Sequence, residues 1–175
     1  MRGTARRCVL VALALGLSGG GWAPLYGEAA GGQASEELRA IYVEPILERI
    51  GQRLQIALRS SLNPSGEPTP ERYRLRITLA TALTNLGIES QGLASLAQLH
   101  VYATYTLIDS KSQKILLVNT VHVANSFDLN PNQYSTVVGG EDAAVRSVAE
   151  LDQEIVTRLA LFMERRLAEQ SPAPS

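Results

Sequence analysis

Imidazole is the side chain best suited to moving protons or holding a metal near neutral pH, and this sequence has two, His100 and His122. Both fall in strand-like stretches on either side of one polar turn, so they are expected to be neighbours across a hairpin. A two-histidine metal site needs a carboxylate or a third ligand, and no H-x-x-x-H or carboxylate spacing supplies one. Hydrolysis or group transfer needs a nucleophile, a base and an orienting group, and no such set can be named. Gly139-Gly140 lacks the preceding strand and the Lys-Ser/Thr of a phosphate loop, and Gly19 to Gly21 follow an N-terminal apolar run. The carboxylate pairs Glu36-Glu37 and Glu141-Asp142 lie in a linker or near a helix start, where negative charge is favourable without any catalytic role. The chain therefore reads as non-enzymatic, with no cofactor and no metal.

The cations are more informative. Arg72, Arg74 and Arg76 alternate along one predicted strand, and Lys111 and Lys114 flank a hairpin turn. Arginines on one strand face offer a line of donors able to hold phosphates in bidentate fashion. The same pattern also suits a polar sheet face paired with acidic residues on a neighbouring strand. Both readings stay open from the sequence.

Arg2, Arg6 and Arg7 precede an apolar run from Cys8 to Leu17, too short for the roughly 20 residues of a membrane-spanning helix and typical of an export signal. Residues 1–21 are read as that signal, 22–37 as a flexible tether, 38–168 as one folded domain and 169–175 as a disordered tail. Loss of the signal removes three basic residues and no acidic one, leaving 13 against 17 and a net charge of −4. A nucleic-acid-binding domain is expected to be basic instead. The single cysteine, Cys8, lies within the signal, so the mature chain has neither disulfide nor thiolate chemistry.

The elements that must position these residues follow from apolar periodicity. Arg39 to Val43 reads as a short strand stopped at Pro45. Ile46, Leu47, Ile50, Leu54, Leu58 and Leu62 form one stripe of a helix. Asn63 to Pro70 is a proline-rich loop. From Arg72 to Leu83 the chain alternates, with Tyr73, Leu75, Ile77 and Leu79 on one side and the arginines on the other. Leu96 to Ile108 and Ile115 to Val123 form a hairpin around Asp109 to Ser112. A long helix begins between Tyr134 and Glu141, with Val148, Leu151, Ile155, Leu159 and Phe162 on its apolar face.

The order β-α-β-β-β-α, with two amphipathic helices and a sheet apolar on one side, predicts an α+β fold. Its expected form is a two-layer sandwich, with two helices packed on one face of a four-stranded sheet. The other sheet face is left polar.

Trp22-Ala23-Pro24-Leu25-Tyr26-Gly27, just after the signal, resembles the G-C-G-[FW]-x-P-L-Y-G start of LptE-type lipopolysaccharide-assembly lipoproteins, in their alphaproteobacterial form. Arg49-Ile50-Gly51-Gln52-Arg53-Leu54, the strand Tyr73 to Leu79, Ala103-x-Tyr105-x-Leu107-x-Asp109 and Glu141-Asp142-Ala143 follow in the same order. The resemblance spans nearly the whole mature chain. One departure stands out: the family's acylated cysteine after Leu-x-Gly is replaced by Gly20, within Leu17-Ser18-Gly19-Gly20, so no lipidation site is expected.

The resemblance implies a non-enzymatic component that plugs and supports an LptD-type β-barrel and helps insert lipopolysaccharide. The expected place is the periplasmic side of the cell outer membrane, with the barrel and lipopolysaccharide as partners and no nucleic acid. Arg72, Arg74, Arg76, Lys111 and Lys114 are the residues expected to meet the lipid's phosphates. Two alternatives have the same export signal and lack of catalytic groups: an auxiliary subunit of an ABC-type lipid transport system, and a lipid carrier with an apolar cavity between sheet and helices.

Overall fold

The alternation at Tyr73 to Leu79 divides the two faces of a sheet in the computed structural model, which describes residues 32–88, 94–129 and 132–170. Tyr73, Leu75 and Ile77 are buried, whereas Arg76 and Thr78 are exposed on the opposite face and Arg74 is half-buried there. Helix α1 (Gly32–Arg39) leads to β1 (Ile41–Val43) and then α2 (Arg49–Leu62). Three long strands follow, β2 (Tyr73–Ile88), β3 (Ala94–Asp109) and β4 (Ile115–Asp128), before α3 (Gln133–Gln170). The described residues from Gln33 onward form one compact unit.

The strands lie in chain order, β1-β2-β3-β4. Because α2 crosses between them, β1 runs parallel to β2, from Ile41↔Tyr73 to Val43↔Leu75. The other pairs are antiparallel, with Tyr105 opposite Ile77 on β2 and Asn119 on β4. Both long helices stack on one face. Leu54, Leu58 and Leu62 of α2 and Leu151, Ile155, Leu159 and Met163 of α3 meet Ile41, Leu75, Val101, Tyr105 and Leu107 there, each essentially without solvent contact. The expected α+β two-layer sandwich is thus the observed one.

The element order gains a helix. The end of the stretch read as a tether is helical from Gly32, because Ala34 and Leu38, one turn apart, bury themselves against the core. The helix read from Ile46 begins only at Arg49, since Glu48 holds φ at 69° and interrupts it. Leu47 lies before that break and is 82% exposed, outside the stripe assigned to it. On α3 the stripe ends on Met163, fully buried one turn beyond Leu159, while Phe162 is half-buried.

Strand ends also run further than composition indicates. Asn85 and Gly87 stay within β2 because β3 pairs alongside to Ile88↔Ala94, and β4 continues to Asp128 opposite Leu96. Gly139 and Gly140 lie inside α3 rather than ahead of it. Phe127 packs against both, and a Cβ at Gly139 would come 3.4 Å from Phe127 Cβ, so close helix–strand approach offsets the propensity lost to glycine. The expected export signal, the tether up to residue 31, Cys8, Gly20, Trp22 to Gly27 and the tail from 171 fall outside the described residues.

Candidate functional site

The hairpin turn after β3 is built on one carboxylate. Asp109 Oδ1 accepts from the backbone N–H of Lys111 (3.1 Å) and Ser112 (2.7 Å) and from the Ser112 hydroxyl (2.9 Å). The Ser112 amide, more than any other group, holds the Asp109 carboxyl below its ordinary value, with the Ser112 hydroxyl, Lys111 amide and Arg166 charge acting in the same direction. With the turn fixed, Lys111 and Lys114 are exposed, and neither side chain has an ion-pair partner among the described residues.

The arginines of β2 divide into two groups. Arg72, just before the strand, pairs with Glu37 of α1 at 2.7 Å, and Arg76 pairs with Glu44, just after β1, at 2.8 Å. Both follow the self-paired alternative, using acids from the parallel edge. Arg74 donates to Gln113 of the turn, while its Nε is buried and without a hydrogen-bond partner.

Arg166 of α3 joins them, a residue that the sequence did not single out. Its guanidinium lies over the Tyr73 ring, 5.5 Å from the centroid, and its Nη1 is buried without a partner. Arg72, Lys111, Arg166, Tyr73, Asp109 and Glu37, with the end of α3, line a cleft of about 230 Å³. Nothing local in the sequence discloses that the C-terminal part of α3 lies over the first residue of β2. Arg72, Arg74, Lys111, Lys114 and Arg166 thus gather at one end of the sandwich. Two guanidinium nitrogens of this group, Arg74 Nε and Arg166 Nη1, are buried without a hydrogen-bond partner, so its solvent-facing donors are the remaining guanidinium N–H groups and the two ammonium groups.

The opposite end carries exposed apolar side chains among acidic ones such as Asp128 and Asp142. Leu83 on β2 and Tyr134, Val137 and Val138 in the first turns of α3 are all exposed there. Two arginines seal the β4 edge: Arg146 donates to the Ser126 carbonyl (3.0 Å) and Arg158 to the Thr120 carbonyl (3.3 Å). At the tops of the helices, Glu141 accepts from both Arg49 and Arg53 at 2.8 Å, clamping α2 to α3.

The two histidines do meet on the outer sheet face. His100 Nδ1 and His122 Nε2 are 3.1 Å apart, and Tyr102 stacks on His122 with centroids 4.3 Å apart. Among the described residues no group of three His, Cys, Asp or Glu converges as a metal site requires. Among the described residues the layer between sheet and helices is filled by side chains, from Leu54 to Met163, whereas a lipid carrier needs a cavity there. No described helix is long and apolar enough to cross a membrane.

This architecture recurs in small bacterial lipoproteins. A lipoprotein from Caulobacter crescentus is 22% identical and superimposes with a TM-score of 0.62, over 80% of this chain and 98% of its own. Lipoprotein B from Nitrosomonas europaea gives 0.57 at 13% identity, over 74% of this chain and 86% of its own. A minor lipoprotein from Acinetobacter baumannii gives 0.54 at 16% identity, over 69% and 90%. No curated protein matches the sequence.

Residues 38–159, most of the chain, match the LptE lipopolysaccharide-assembly family model. The chain belongs to the LptE family.

Proposed function

We propose that this chain is the partner and plug of an LptD-type outer-membrane β-barrel. It acts on the periplasmic side of the outer membrane and helps insert lipopolysaccharide without catalysing a reaction. Membership of the lipopolysaccharide-assembly family across residues 38–159 carries this reading. The geometry supports it. A barrel lumen is polar, and the outer sheet face presents Thr78, Thr104, Thr120, His100 and His122 to such surroundings.

The cationic end is proposed to meet lipopolysaccharide phosphates. Lys111 and Lys114, exposed, and Arg74 and Arg166, half-buried, are the residues proposed for it, whereas the charges of Arg72 and Arg76 are offset by Glu37 and Glu44.

The test is a pull-down of the tagged chain from detergent-solubilised outer membranes, with mass spectrometry of what accompanies it. Near-equal recovery of a large LptD-type barrel is expected. Recovery of an inner-membrane lipid transporter instead, with no barrel, would overturn the reading in favour of a transporter-associated subunit.

A further inference from the structure

Among the described residues, one edge of strand β2 is paired only at its start. β1 pairs with it at Tyr73, Arg74 and Leu75, and the Glu44 N–H adds a bond to the Leu75 carbonyl. Beyond that point no strand lies on this side among the described residues. Backbone groups alternate in direction along a strand, and the Leu75 carbonyl points away from β3. The N–H and C=O of Ile77, Leu79, Thr81, Leu83 and Asn85 therefore face the open side, while those of the even-numbered residues bond to β3.

Natural edges are usually blunted by a charge, a proline or a bulge. From Ile77 to Ile88 there is no charged residue and no proline, and the register with β3 runs without a shift. Residues 80 to 85 are exposed, Leu83 among them. The sequence of this edge also reads the same in both directions: Thr78-Leu79-Ala80-Thr81-Ala82-Leu83-Thr84 is a palindrome centred on Thr81.

We propose that the open edge of β2 pairs with the same edge of a second copy, antiparallel about a two-fold axis through Thr81, giving one continuous sheet across both chains. A two-fold contact opposes each residue with its mirror position. About Thr81 that places Thr78 opposite Thr84, Leu79 opposite Leu83 and Ala80 opposite Ala82, so every cross-strand pair is of one residue type. Odd positions meet odd positions, which brings free N–H groups to free carbonyls and keeps helix-side residues beside helix-side residues. Leu79 and Leu83, under-covered in the single chain, become apolar partners.

The extent of the edge agrees with this register. The open stretch starts at Arg76, where β1 ends, and Arg76 falls opposite Leu86, two residues before β2 ends. An isologous contact doubles every charge within it, and the uncharged run from Ile77 removes that repulsion. The proposal goes beyond the assembly reading and does not depend on it, because it concerns the chain's contact with itself rather than with a barrel or a lipid.

Sedimentation equilibrium on the full 18.9 kDa chain tests it. The expected result is a concentration-dependent approach to twice that mass. Thr81→Lys and Thr81→Glu each place two like charges face to face on the axis, and each is expected to be monomeric with an unchanged circular dichroism spectrum. Mixing the two variants is expected to restore the dimer, because only position 81 faces itself. In the unsubstituted chain, amide exchange at Leu79, Thr81 and Leu83 should slow as concentration rises. A chain that stays monomeric up to millimolar concentration, a dimer that survives Thr81→Lys alone, or a mixture that fails to associate overturns the proposal.

Discussion

The phenol of Tyr73 donates to Glu37 across 2.7 Å, joining the first helix to the first residue of β2, and the other oxygen of that carboxylate takes Arg72 at 2.7 Å. Glu37 is 9% exposed, so the two donors offset the cost of burying its polar oxygens. Tyr73→Phe keeps the ring under Arg166 and removes one donor from a buried carboxylate. The expected loss is about 1–3 kcal/mol, read as a lower denaturation midpoint at pH 7 with the same m-value.

The same pair sets an alkaline limit. Burial, then the hydrogen bond to Glu37, raises the Tyr73 phenol above its ordinary 10.0, and burial similarly raises Tyr105. A group whose folded value is raised contributes stability below its unfolded value and loses it as pH rises through the folded one. Stability should therefore fall above pH 10. The gap between the unsubstituted chain and Tyr73→Phe should narrow over that range, and urea titrations at stepped pH would show a constant gap if the phenol were irrelevant.

Gly51 lies in the first turn of α2 beneath Ile46. A Cβ there would come 2.6 Å from Ile46 Cγ2 and 3.2 Å from its Cβ. Alanine favours the helix by up to about 1 kcal/mol. Ile46 is β-branched, 5% exposed and unable to swing aside, so overpacking of about 1–3 kcal/mol should win. Gly51→Ala is expected to lower the melting temperature, and in an Ile46→Ala background the same change should cost less. Equal losses in both backgrounds would show that Ile46 is not the obstacle.

Asp152 faces α2 from α3. It accepts from the Ser61 hydroxyl at 2.8 Å, while its other oxygen is buried without a partner. Burial raises this carboxyl above its ordinary 3.8, and the Ser61 hydrogen bond only partly opposes it. The folded state then holds its proton more tightly than the unfolded chain, so ionisation weakens the fold as pH rises through the folded value. Asp152→Asn should raise the melting temperature at pH 7 by about 1–3 °C. The gain should disappear as pH falls below 3.8, where both states are protonated, and a gain that persisted there would point to packing instead of charge.

Residues whose partners are local in sequence were the legible ones. The strict alternation at Tyr73 to Leu79 and the turn-spaced leucines at 54, 58 and 62 announced which side faces the core, and the sandwich follows from them. Two apolar residues in eight, Ala34 and Leu38, are too few to show a period, so α1 was hidden. The same limit applied to the site. Arg72, Arg74 and Arg76 look equivalent in the sequence, yet Glu37 and Glu44 reach the first and last because β1 lies parallel to β2, a pairing that alternation does not reveal. Arg166 joined the cationic end only because the C-terminal part of α3 lies over Tyr73.

That division decides which charges to reverse. Changing Arg72 or Arg76 would also strand Glu37 or Glu44, mixing a loss of fold with a loss of binding. Among the described residues Arg74 and Lys114 have no ion-pair partner, so Arg74→Glu together with Lys114→Glu strands no acid, and beyond the Arg74–Gln113 hydrogen bond the melting temperature should change little. Binding of lipopolysaccharide to the immobilised protein is expected to weaken roughly tenfold, or about 1.4 kcal/mol. If phosphates are the groups recognised, the difference should shrink as the screening length falls from about 8 Å at physiological salt to about 3 Å at 1 M. It should also vanish with lipid stripped of its phosphates. Unchanged binding by the double variant would make this end an ordinary solvated surface, whereas a salt-sensitive loss would assign it to the lipid's anionic head.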